Sequence, residues 1–207
     1  MKKEQQDYIR DIAEIRSMME RSTKFLSLSG WAGIMAGIYA LAGAYFAYSI
    51  LYFNPDELIY TLPGNSASNL LKLVLLALGV LVLAVGTAVI LSNRKADSSG
   101  EKLWNPTSRQ MLMSMTIPLI SGGLLILILI GHDLTGLLAP CSLIFYGIAL
   151  FNASRYTFEE VKTLGLIQII LGLLGAWFIG YGLLFWAIGF GGFHIIYGIY
   201  MHFKYEQ

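Results

Sequence analysis

The run NLLKLVLLALGVLVLAVGTAVILS, residues 69–92, followed at once by Asn93-Arg94-Lys95, decides how this chain folds. Crossing about 30 Å of hydrocarbon takes about 20 apolar residues in a helix, and this run exceeds that length. Its apolar residues are continuous, whereas a barrel strand alternates over about ten residues, so a helix is expected. Five further stretches qualify, near residues 26–53, 110–131, 134–152, 161–179 and 183–201, and none of the six contains Asp or Glu. Composition agrees. Of 207 residues, 56% are hydrophobic and 13% charged, against about 25% charged in a soluble domain. The mean hydropathy is +0.64. Too few ions remain to cover a globular surface, which disfavours a soluble enzyme and a disordered chain alike.

Basic residues set the expected orientation. Lys2, Lys3, Arg10, Arg16, Arg21 and Lys24 precede the first span; Arg94, Lys95, Lys102 and Arg109 separate the second from the third; Arg155 and Lys162 separate the fourth from the fifth; and Lys204 follows the sixth. The opposite loops, near residues 54–68, 132–133 and 180–182, have no Lys or Arg. Both termini are therefore expected on the cytoplasmic side of a bacterial inner membrane. With 11 of the 27 charges in its first 26 residues, the chain shows no signal-peptide pattern, and the first span is expected to be a retained anchor.

The expected fold class is all-α. Residues 26–207 form a transmembrane bundle of six helices arranged as three hairpins, and residues 1–25 form a cytoplasmic amphipathic helix with Tyr8, Ile12, Ile15 and Met19 on one stripe. Asn105-Pro106-Thr107 with Gln110, and Thr157 with Glu160, match capping boxes ahead of apolar runs. Pro118 and Pro140 are expected to kink their helices. The second helices of the hairpins end alike: Val85-Gly86 before Arg94, Tyr146-Gly147-Ile148 before Arg155, Tyr197-Gly198-Ile199 before Lys204. Either a duplicated hairpin or ordinary membrane-helix composition explains that likeness.

Chemistry-bearing residues are scarce. One cysteine, Cys141, excludes an internal disulfide and Cys-rich metal frameworks. A net charge of +1 carries no nucleic-acid signature. No HExxH, GxSxG or paired-aspartate pattern occurs, so neither catalysis nor a cofactor is expected. Intramembrane ionisable groups are the functional candidates by default, because burying one unpaired costs at least ~2.5 kcal/mol. His194 lies near the middle of the sixth span with Tyr197 on the same face; a neighbouring hydroxyl could satisfy it, or it could contact a ligand or relay protons. Gln168 completes a polar interior set. Lys72 either snorkels to the headgroups or contacts a substrate or ion.

A second candidate feature is steric. Ala32, Gly33, Ala36, Gly37, Ala40 and Ala44 form a ridge on the first span, and Gly172, Ala176 and Gly180 form another on the fifth. Such ridges allow close helix approach, either inside the bundle or against a protein partner or second copy. Glu14 to Gly30, running on to Tyr39, resembles the opening of an uncharacterised group of small bacterial six-span inner-membrane proteins, and the hairpin layout is similar to HdeD-like acid-resistance proteins. These resemblances bring no activity or site residue. The sequence points to a non-enzymatic membrane component of accessory, sensory or assembly type, with a small-molecule carrier or channel as the alternative.

Overall fold

The computed structural model describes residue 25 and residues 27–49, 66–100 and 102–206, with side chains from 70 onward in the second of these ranges. All regular structure among them is helical. We label the helices α1 (Gly30–Ser49), α2 (Ser66–Ser98), α3 (Pro106–Gly131), α4 (Leu138–Ala153), α5 (Glu160–Trp177), α6 (Gly182–Trp186) and α7 (His194–Tyr205). A π-helical stretch, Ala187–Phe193, joins α6 to α7. Six helical segments are long and apolar enough to cross a membrane: α1, Leu70–Ser98, α3, Thr135–Tyr156, α5 and Ile179–Tyr205. α2 continues past Ser92, so Arg94 and Lys95 belong to its last turns. The expected N-terminal helix, and the loop containing Pro55 and Pro63, lie outside the described residues.

Two helix starts differ from expectation. The Asn105 side chain accepts from the Ser108 N–H at 2.8 Å and the Asn105 N–H donates to Ser108 Oγ at 3.0 Å, so Ser108, not Gln110, closes the capping box. Thr157 does not cap α5. Its hydroxyl donates to the Phe25 carbonyl at 2.7 Å, while Glu160 reaches across to Lys204 and Tyr205. Pro118 is inside α3. Pro140 is not mid-helix: it occupies the first turn of α4, where a missing N–H costs no ladder bond.

α1 packs on α2 and, along its other side, on the π-helical stretch and α7. α3 packs on α4, and α4 on α5. Glycine sets the two closest seams. A Cβ built on Gly30 would stand 2.5 Å from the Gly198 carbonyl oxygen, and one on Gly37 would stand 2.7 Å from that of Gly191. Across α4 and α5, a Cβ on Gly165 would stand 2.7 Å from the Gly147 carbonyl oxygen and one on Gly172 would stand 2.8 Å from that of Pro140. Backbones at such spacing gain dispersion energy without needing water to drive them together.

One end of the molecule gathers the start of α1 and the ends of α2, α4 and α7. Phe25 and Leu28, ahead of α1, are strapped there: the Phe25 N–H donates to the Tyr156 carbonyl at 2.7 Å and Lys95 Nζ to the Leu28 carbonyl at 2.7 Å. Beneath it lies the core, Leu150, Phe158, Val161, Leu164 and Met201, with Leu28, Met115, Tyr146 and Tyr197 packed against it.

Candidate functional site

The polar side chains buried deep in the helical layer meet at the π-helical stretch. Glycines at 189 and 191 let Gln168, Leu143 and Leu41 approach that wide turn closely, and its altered hydrogen-bond ladder leaves the Gly189 carbonyl available to side chains. His194 Nδ1 lies 3.0 Å from the Gly189 oxygen and Gln168 Nε2 donates to the same oxygen at 2.8 Å. A carbonyl only accepts, so Nδ1 carries the proton and the Nε2 lone pair receives the Tyr146 hydroxyl at 3.0 Å. It follows that Gln168 Nε2 and His194 Nδ1, 3.4 Å apart, are two donors in contact and not a bonded pair. Gln168 Oε1 is buried and meets no donor among the described residues. Turning the amide over would set its oxygen against the Gly189 oxygen, so the observed orientation is the favourable one.

Aromatic rings enclose this cluster. Phe190 stacks on the His194 ring with centroids 5.7 Å apart, and Tyr146 and Trp186 lie against Phe190 at 4.9 and 5.0 Å. Gln168 is 0% and His194 5% exposed, so water is excluded and each hydrogen bond is retained in a low-dielectric setting. The group can hold a proton at a fixed ring nitrogen and present one open acceptor. Among the described residues no three His, Cys, Asp or Glu side chains converge as metal ligands would.

The expected interior set is therefore partly assembled. His194 and Gln168 meet; Tyr197 instead packs against the apolar core beside Tyr146. Lys72 is on the exposed surface of α2, whose packing partner is α1. Tyr146, which the sequence does not single out as an interior polar group, is the third member of the cluster. Its only sequence signal was that Tyr146-Gly147-Ile148 repeats the Tyr197-Gly198-Ile199 motif. Most of the α1 ridge packs within the chain: Gly33 and Gly37 lie against α7 and the π-helical stretch, Ala32, Ala40 and Ala44 are buried, and Ala36 is half-buried. On α5, Gly172 meets Pro140 and Ile144 of α4.

A second polar site closes the strapped end. Glu206 Oε1 accepts from the Gly30 N–H at 2.9 Å and from Lys95 Nζ at 3.0 Å, while His202 Nδ1 contacts Oε2 at 2.8 Å. Burial opposes ionisation of this carboxylate, but the bonds from His202, Gly30 and Lys95 and the Lys95 charge outweigh it, holding the pKa down to about 2. A cavity of about 430 Å³ opens beside it, lined by Ser29, Arg94, Lys95, Ser98, Ser99, Tyr205 and Glu206. No family model, curated protein or solved structure matches this chain.

Proposed function

We propose that this is a non-enzymatic, multi-pass protein of a bacterial cytoplasmic membrane, arranged as three hairpins with both termini cytoplasmic, and that it serves as an accessory or assembly component. On this reading the six spans form a mount, and the charged amphipathic segment of residues 1–25 engages a protein partner. The supporting observation is the strap. Phe25, Leu28 and Gly30 are bonded to Tyr156, Thr157, Lys95 and Glu206, side chains and backbone drawn from the ends of three other spans. A segment that served only as a tether would not need anchoring at so many points. The orientation rests on the positive-inside distribution of Lys and Arg.

Affinity purification in mild detergent tests the reading. Deleting residues 1–20 should abolish co-purification of the partner while the six-span domain stays monodisperse, and retention of every partner would overturn it. Labelling of an N-terminal cysteine from outside intact cells, in a Cys141→Ser background, would overturn the orientation. The open Gln168 acceptor supports a second reading, a carrier of a small hydrogen-bond donor lined by His194 and Gln168. Uptake unchanged in a folded His194→Ala variant would remove it.

A further inference from the structure

The two glycine seams are one device used twice. In α4, Pro140, Ile144 and Gly147 receive Gly172 and Gly165 of α5; in the last span, Gly191, Ile195 and Gly198 receive Gly37 and Gly30 of α1. The matched contacts agree atom for atom: the Cβ of Gly172 would meet the Pro140 oxygen and Ile144 Cγ1, and that of Gly37 would meet the Gly191 oxygen and Ile195 Cγ1. Each seam joins the second helix of one expected hairpin to the first helix of another, antiparallel. α2 carries the same pattern a third time, as Gly79, Leu83 and Gly86. Here the receiving face is unfilled. A Cβ on Gly79 or Gly86 would meet nothing within 4 Å, and Leu83 is 55% exposed.

The one first helix of a hairpin not yet used in such a seam is α3, and it also carries an open face. Gly123 has nothing within 4 Å, in contrast to its neighbour Gly122, which lies against Phe145 of α4. Depth matches as well. α2 runs from Gly86 on to Ser98, and α3 starts at Pro106 ahead of Thr116, so Gly86 and Thr116 stand about 15–18 Å from their respective helix ends at the rise of a helix. Gly79 and Gly123 then face each other two turns further along. Residues 99–105, the link between the two helices, reach at most about 23 Å, which keeps the two faces within range.

We propose that α2 and α3 of the same chain dock on one another to form a third seam, Gly79 against Gly123 and Gly86 against Thr116, closing the row of spans into a ring. The structure described here is the open state. In it Met115 of α3 already borders the inner core. The proposal concerns the membrane domain alone and is independent of the partner assigned to residues 1–25.

Cysteine cross-linking of the full-length protein in its native membrane tests it. In a Cys141→Ser background, Gly79→Cys with Gly123→Cys should yield a disulfide on copper–phenanthroline oxidation, found as a linked α2–α3 peptide in chains that still migrate as monomers. Gly86→Cys with Thr116→Cys reads the same seam one heptad closer to the 99–105 link and covers the case in which the first pair fails to fold. Gly79→Cys with Leu112→Cys, at mismatched depth, should link several-fold less. Linkage no greater than the mismatched pair in chains whose thiols both alkylate would overturn the proposal. A cross-linked dimer without the intrachain product would overturn it equally, by showing that the occupant is a second copy.

Discussion

Glu206 is the residue on which acid stability turns. Its carboxyl is held at about 2, below the ordinary 4.5, because the bonds from His202, Gly30 and Lys95 exceed the penalty of burial. A carboxylate with a depressed folded-state pKa contributes its stability in full above the unfolded value, and that contribution is lost as pH falls through the folded one. In detergent, thermal stability should hold from pH 7 to about 5 and decline between about 4.5 and 2. Glu206→Gln should be less stable at pH 7, and the wild-type minus variant difference should shrink over that acid interval; a constant difference would contradict the assignment. In the buried cluster, His194→Leu removes two hydrogen bonds and strands the Tyr146 hydroxyl, while the Gly189 carbonyl keeps its bond from Gln168. Gln168→Met removes one bond and an acceptor that has no donor, and leaves Gly189 still bonded to His194. Interhelical hydrogen bonds in membranes are worth about 0.6 kcal/mol on average and reach about 1.7. His194→Leu should therefore cost more than Gln168→Met, measured as loss of midpoint in thermal unfolding.

Among the elements, the glycines divide by what stands opposite them. Gly198→Ala places a methyl group 2.5 Å from the Gly30 carbonyl oxygen, so backbone must move, and overpacking of this kind costs about 1–3 kcal/mol. Gly192 in the π-helical stretch has nothing within 4 Å of its Cβ position. Gly192→Ala should be neutral or stabilising by up to ~1 kcal/mol, the helix-propensity gain. Parallel unfolding curves in detergent separate the two, and equal losses would contradict the seam. Helix existence was legible in the sequence because an apolar run longer than the bilayer has few alternatives. Caps and partners were less so. Thr157 and Glu160 have the spacing of a capping box, yet each found a stronger partner far along the chain, Phe25 for the hydroxyl and Lys204 for the carboxylate. His194 and Gln168 could be named as rare polar residues inside spans. Tyr146 could not, because a tyrosine within a span is unexceptional until a ring nitrogen on another helix is placed 3.0 Å from its hydroxyl.

At the scale of the whole molecule, the strapped end and the rest are held by different forces. Along the spans, cohesion comes from close backbone packing, and the exposed side chains of α2, among them Leu71, Leu78 and Val82, face a solvent as apolar as themselves. At the strapped end, ionic and backbone hydrogen bonds join spans that are distant in the chain. Lys95 is central there: its amine donates to the Leu28 carbonyl and to Glu206, and sits 5.9 Å from the Phe158 ring centroid. Lys95→Met keeps most of the apolar stem and removes all three interactions, leaving the Leu28 carbonyl and the Glu206 carboxylate each short of a donor. The segment over residues 25–29 should then exchange its amide hydrogens many-fold faster, while amides in the middle of α4 and α5, whose seam Lys95 does not touch, should keep their protection. Hydrogen exchange read by mass spectrometry in detergent measures both regions in one sample. Faster exchange spread evenly across α4 and α5 would mean that the strap supports the whole bundle and not only the entry of the chain into it.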